Sequence, residues 1–259
     1  MNNQLRILCV GNSFSRDTVT WVPEIAKELG FSDICIANLY IGGCPIHKHY
    51  ENISQDLPAY QLDYNTGYGW ESVQAYRISE AIQKENWDVI SIQHGSNFGG
   101  RYAEPDSYRD LPKLVQEIRK LAGESTQIVY NMAWVGEPWK DRPEMLQFER
   151  DQLRYFQAVC RVTREYVETV PGISMIVPTG TAIQIAREAG LANRMNRDGF
   201  HLSEDVGRYL AALTFLKKLT GAPIEQVCWI PEGVTLSEQR LLLRCVDPAI
   251  ADPYNVTKI

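Results

Sequence analysis

The stretch Leu5-Arg6-Ile7-Leu8-Cys9-Val10-Gly11-Asn12-Ser13-Phe14-Ser15 decides the fold. Its first six residues are a short apolar run stopped by a glycine, the pattern of a buried strand. The residues that follow carry hydroxyls and an amide, and Asp17 is suited to cap a helix running to Leu29, with Gly30 closing it. A buried strand running straight into a helix is the opening of a βαβ unit.

The same alternation continues along the 259 residues. Strands are expected over 32–39 (SDICIANL), 87–93 (WDVISIQ), 127–132 (QIVYNM) and 174–177 (SMIV). Helices are expected over 73–84, 111–121, 143–170 and 181–189, with another near 237–244. The clearest amphipathic stripe is Val206, Tyr209, Leu210, Leu213 and Leu216. The segment 40–70, rich in aromatics and glycine, shows little periodicity and reads as a long loop. Strands and helices in strict turn predict an α/β fold: a five-stranded parallel sheet with right-handed crossovers and helices on both faces. The whole chain, 1–259, is expected to be a single domain.

Composition narrows the function. Hydrophobic residues make up 44% and charged residues 22%, an ordinary globular balance. The net charge is −6 and Lys and Arg do not gather into runs, so nucleic acid and anionic membrane are poor candidates for partners. No stretch approaches the length of a membrane span, and residues 1–4 lead straight into a strand without a signal-like region. Six cysteines show no CxxC spacing, which favours a reducing, cytoplasmic compartment over a disulfide framework.

In open parallel sheets, ligands bind beyond the carboxyl ends of the strands. Four segments fall there: Gly11-Asn12-Ser13-Phe14-Ser15, Ile41-Gly42-Gly43-Cys44, His94-Gly95-Ser96-Asn97 and Asp198-Gly199-Phe200-His201. Together they hold the parts of an acyl-transfer site. A serine hydroxyl needs a base, and histidine serves near neutral pH. A carboxylate on the far imidazole nitrogen fixes the tautomer and stabilises the imidazolium. The Ser13 N–H, the Gly43 N–H and the Asn97 amide are candidate donors to the developing oxyanion.

These four blocks resemble those of the SGNH (GDSL-like) hydrolases: GNS for the usual GDS, a glycine after the second strand, GSN for GxN, and DGFH for DxxH. GNSFS near the start, and RDGFHLS with GRYLAA near the end, look like a bacterial branch catalogued as a domain of unknown function. The resemblance implies a flavodoxin-like three-layer α/β/α sandwich. It implies Ser13 as nucleophile, Asp198 orienting the base His201, and Ser13, Gly43 and Asn97 around the oxyanion. It also implies action on esters, including acyl groups on carbohydrates, with no cofactor. Asn12 and Phe98 depart from the family pattern, in place of the usual acidic residues, without removing a reacting group.

Each signal also has a plainer reading. A serine before a helix is usually a cap, and DxxH is common; only the four blocks in order carry weight. His47, His49 and His94 could be counted as three zinc ligands, but the plainer reading, that they line a cleft or cap the loop, is preferred and no metal is expected. His94 and Trp134 are expected to contact substrate. Tyr40, Tyr50, Tyr60, Tyr64, Tyr68 and Trp70, with Trp134 and Trp139, form either an aromatic cleft wall or a small core of the long loop. A lysophospholipase or thioesterase of the same chemistry and a non-catalytic glycan-binding protein remain alternatives.

Overall fold

The computed structural model describes residues 3–96 and 101–259. Among them, seven strands form one sheet: β1 (Gln4–Gly11), β2 (Asp33–Tyr40), β3 (Tyr60–Asn65), β4 (Trp70–Tyr76), β5 (Val89–Ile92), β6 (Gln127–Asn131) and β7 (Ile173–Val177). Their order is β4-β3-β2-β1-β5-β6-β7. The five expected strands, β2, β1, β5, β6 and β7, are parallel. The sheet is nevertheless mixed, because β3 and β4 form an antiparallel hairpin on the β2 edge. β3 lies inside the segment expected to be a loop, and β4 takes residues expected to begin a helix.

Helices α1 (Ser13–Val19), α2 (Val22–Glu28), α3 (Ile46–Ser54), α4 (Ile78–Lys84), α5 (Leu111–Ala122), α6 (Pro143–Gln147), α7 (Gln152–Val162), α8 (Thr179–Ala186), α9 (Ala192–Met195), α10 (Val206–Thr220) and α11 (Leu236–Ala251) cover the sheet. α1, α2, α8, α10 and α11 pack as one group, and α3, α4 and α5 as another, giving the α/β/α layering. β1 is central, and Ile7, Leu8 and Val10 have no exposed surface. That is why its sequence is nearly continuous in apolar residues instead of alternating. The stripe of α10 is buried along its whole length, with Val206, Tyr209, Leu210, Leu213 and Leu216 all sealed in the core.

Two helical expectations are corrected. The first helix begins at Ser13, not after Asp17. Asn12 is its cap: the Asn12 Oδ1 accepts from the Phe14 N–H at 2.9 Å and the Asn12 N–H donates to Ser15 Oγ at 2.8 Å. The run to Leu29 is then split, and Pro23 opens α2, where a missing N–H is harmless. The helix expected over 143–170 is broken by Glu149 and Arg150, both in the left-handed region with φ of 55° and 60°. This break falls where the sequence has neither Gly nor Pro, the usual punctuation.

The strand-end loops are packed backbone to backbone. A Cβ on Gly95 would lie 2.3 Å from the Gly43 carbonyl carbon and 2.4 Å from the Cys44 oxygen. Gly95 therefore lets the loop after β5 rest directly on the loop after β2. Gly95→Ala is expected to lower stability by about 1–3 kcal/mol, the range for forcing one extra carbon into a close-packed site. Urea unfolding read by far-UV circular dichroism measures it, and an unchanged midpoint would show that the two loops are not in contact.

Candidate active site

α1 begins where β1 leaves the sheet, so Ser13 stands at the mouth of the helix, partly exposed. The loop before α10 brings His201 to it across 188 residues of sequence. His201 Nε2 lies 3.0 Å from Ser13 Oγ, and His201 Nδ1 lies 2.7 Å from Asp198 Oδ2. The second Asp198 oxygen accepts from the Phe200 and His201 N–H groups at 2.9 and 2.7 Å. Such a turn needs a left-handed residue, and Gly199 supplies it at φ 77°. A side chain there would also strike Trp139, because a Cβ on Gly199 would lie 2.6 Å from the indole ring.

Partial burial favours the neutral form of Asp198, but the hydrogen bonds from the His201 ring and from the two backbone N–H groups outweigh it. The carboxyl is lowered to about 2. Asp198 is thus an anion at any ordinary pH, facing the imidazole that is itself in reach of the serine hydroxyl. A hydroxyl, an imidazole and a carboxylate hydrogen-bonded in this sequence have the geometry in which an imidazole can take a hydroxyl proton.

The expected oxyanion donors are placed unequally. Ser13 is the first residue of α1, where helical N–H groups point outward unpaired by the helix itself. Gly43 adopts the left-handed region at φ 62° in the loop that supports Gly95. Asn97, and the departure at Phe98, lie outside the described residues. Asn12, the other departure, has a clear physical use. Its Oδ1 caps α1 while its Nδ2 donates to the Cys44 carbonyl at 3.2 Å. An aspartate at this position has no N–H to offer that carbonyl, so the amide ties the serine turn to the Gly43 loop.

Two expected substrate contacts are corrected. Trp134 is fully buried: it stacks on Phe14 at 4.3 Å between ring centroids, and its Nε1 donates to the Phe200 carbonyl at 2.9 Å. Phe14 also meets Phe200 at 4.6 Å, so these rings brace the serine turn against the histidine loop from beneath. His94 is fully buried as well, and burial lowers it to about 4, leaving a neutral ring beside Tyr108. His49 packs against Tyr60, its Nδ1 2.8 Å from the phenol oxygen, and burial lowers it to about 3. Among the described residues no three His, Cys, Asp or Glu side chains are grouped to hold a metal. The aromatics do not form one wall: Tyr60 is buried, whereas Tyr68, Trp70 and Trp139 are exposed at separate places.

The residue that sequence reading misplaced is Asp17. It does not cap α1 but is buried within it, one turn beyond Ser13. Its oxygens accept from the Leu202 N–H at 3.0 Å, from Arg208 Nε at 2.8 Å and from Arg197 Nη1 at 3.1 Å. Asp17 therefore joins the serine helix directly to the residue after His201. An arginine immediately before the DGFH block was the available signal, since a buried carboxylate needs such a partner.

A mixed, mainly parallel α/β sheet with a serine at the end of β1 and an Asp/His pair in the loop before α10 is the fold of SGNH-type hydrolases. The chain belongs to the DUF4886 family, a domain of unknown function whose family model matches residues 6–246. It is similar to a DUF4886 family protein from Bacteroides uniformis, with 30% identity, a TM-score of 0.92, and 99% of this chain and 98% of that chain covered. LAE5, an alpha/beta hydrolase enzyme from the metagenome of Lake Arreo, shares the fold at 11% identity and a TM-score of 0.51, over 85% of this chain and 98% of that one. A member of the lipolytic G-D-S-L family from Veillonella parvula aligns at 15% identity and a TM-score of 0.48, over 82% and 97%. Comparison with curated proteins gives no match.

Asp17→Asn keeps the shape but removes the charge between two guanidinium groups. The expected loss is about 2–3 kcal/mol, below the range for fully buried pairs because Arg197 retains 33% of its side-chain exposure. Chemical denaturation checks it, and a loss under about 0.5 kcal/mol would mean that the Asp17 junction contributes little.

Proposed function

We propose that this protein is a serine hydrolase of carboxylic esters, deacylating an acylated carbohydrate or a related small ester. The observation that carries the reading is the continuous chain Ser13 Oγ–His201 Nε2 at 3.0 Å and His201 Nδ1–Asp198 Oδ2 at 2.7 Å. In this reading Ser13 attacks the ester carbonyl while His201 takes its proton. The collapsing intermediate expels the alcohol, protonated by His201. Water, activated by the same imidazole, then releases the acid and frees the serine. The Ser13 and Gly43 N–H groups and the Asn97 amide are assigned to the oxyanion. No cofactor enters any step. The assignment of Ser13 as nucleophile is supported by the geometry; the ester and carbohydrate parts rest on the family resemblance.

A fluorophosphonate probe tests the nucleophile. One adduct is expected by intact mass, mapped to the peptide carrying Ser13 and absent from Ser13→Ala. Adducts at another serine, or none in protein that hydrolyses p-nitrophenyl acetate, would remove Ser13 from its role.

Asp198→Asn separates orientation from simple charge. The amide nitrogen cannot accept from Nδ1–H, so the imidazole turns to the tautomer that no longer accepts from Ser13. A fall in kcat of about 10⁴ is expected, the scale known for this change in such triads. His201→Ala should fall as far as Ser13→Ala, and the double variant little further. Asp205 is the control: it caps α10 and pairs with Arg194, so Asp205→Ala should alter stability and spare turnover. If Asp205→Ala abolished turnover while Asp198→Asn retained it, the pairing would be misassigned. Because Asp198 is held well below the ordinary carboxylate range, its orienting charge is complete above that range. It is lost only as pH falls towards about 2, so turnover lost between about pH 6 and 4 must have another origin.

A further inference from the structure

The β3–β4 hairpin carries a polar floor where a sheet face under a helix is normally apolar. Residues directly opposite one another across the strands share a face. Asn38 on β2 faces Asp63 on β3, which faces Ser72 on β4. Beside this row, Asn65 is paired with Trp70. α1 stands over the inner part of the face and leaves the hairpin part uncovered. The result is a cavity of about 310 Å³, walled by Arg16, Val19 and Thr20 of α1 and Arg208 of α10, and floored by Asn38, Gln61, Asp63 and Ser72, with Trp70 at its side.

Three features say what fits. First, the cavity's charges are already matched. Asp63 takes two hydrogen bonds from Arg16, at 2.9 and 2.7 Å, and Arg208 Nε is bound to Asp17 at 2.8 Å. An anion would have to compete with a carboxylate for each guanidinium, so the ligand is neutral. Second, Asn38 is fully buried and its Nδ2 has no hydrogen-bond partner, while its Oδ1 accepts from Ser15. An unpaired donor this deep makes the floor strongly polar, and the polar groups a ligand meets above it are those of Gln61, Asp63 and Ser72. Third, Trp70 is 37% exposed, held by a bond from its Nε1 to the Thr20 carbonyl, and offers an anchored aromatic surface beside these polar groups. Neutral, rich in hydroxyls and apolar on one ring face describes a sugar unit.

We propose that this cavity is a sugar subsite, holding a saccharide unit on the alcohol side of the ester. This rests on the ester-hydrolase reading for the link to catalysis, though binding itself does not require it. The placement suits the chemistry. Arg16 lies one helical turn from Ser13, about 5 Å along the axis, and Thr20 about 10 Å. Ser13, Arg16 and Thr20 also fall on one side of α1 at about 100° per residue. A sugar ester acylating Ser13 therefore has its carbohydrate portion within one or two ring lengths of Trp70. Asp17 lies between them and accepts both from Arg208, which lines the subsite, and from the Leu202 N–H, so one carboxylate joins the subsite to the histidine loop.

Two measurements test it. Wild type and Trp70→Ala are compared on acetylated cellobiose and acetylated xylobiose against p-nitrophenyl acetate. The ratio of KM for the sugar esters to KM for the reporter should rise about tenfold in the variant, the scale of one lost ring contact. Ser72→Leu, which fills the cavity and keeps the tryptophan, should shift the ratio in the same direction, covering the case in which Trp70→Ala folds poorly. Separately, tryptophan fluorescence of the wild type is titrated with unesterified cellobiose, lactose, xylobiose and chitobiose. A saturable change with at least one, lost in Ser72→Leu, is expected. No saturable change with any of the four, or an unaltered KM ratio in both variants, overturns the subsite. If p-nitrophenyl acetate and the sugar esters are all left intact by the wild type, the ester reading fails, and the titration still decides the subsite alone.

Discussion

A single buried carboxylate, Asp17, fixes the spacing on which the site depends. A sheet places the ends of its strands only to within the freedom of their loops, whereas proton transfer needs heavy atoms within hydrogen-bond reach. Ser13 belongs to the first helix and His201 to the last loop before α10. Asp17 closes that gap by accepting from the Leu202 N–H, next to His201, while two arginines of the same region neutralise it. Arg197 in turn donates to the Leu202 carbonyl, so both backbone groups of that residue are held. The aromatic contacts of Phe14 with Trp134 and Phe200 act from the other side of the same junction. Pinned by charge on one side and by packed rings on the other, the histidine loop has little room to drift.

The supports around the site are drawn from residues that look catalytic or substrate-facing in isolation. Trp134 and His94 are buried, neutral and structural, and His49 packs beneath the loop that carries Gly43. The described residues open to solvent at the site include Ser13, Gly43, Asp198, His201 and, beside the Gly199 turn, Trp139.

The parallel core and the order of the four loop blocks were legible because each rests on a local rule. Buried strands such as LRILCV read as continuous apolar runs, and DGFH reads as a turn with its own glycine. The hairpin was not legible, because neither of its strands alternates cleanly between apolar and polar. YQLDYN spends Asp63 and Asn65 on a buried polar face, and the β4 strand is exposed almost throughout. The start of α1 was missed for a related reason: Asn12, Ser15 and Asp17 are all good caps, and only the backbone decides among them. The breaks at Glu149 and Arg150 carry no sequence mark at all, since neither residue favours the left-handed region. Asp17 itself was misread because its partners Arg197 and Leu202 lie 180 and 185 residues away.

That separation also bears on how the protein comes into being. Ser13 leaves the ribosome first, and His201 follows 188 residues later. At about 5–20 residues per second, synthesis leaves a gap of roughly 10–40 s between them. During that interval Ser13 has no imidazole within reach and is an ordinary alcohol. The hydrogen-bonded chain from Ser13 to Asp198 closes only once the DGFH loop has emerged and docked on α1, so no nascent chain carries the assembled site before then.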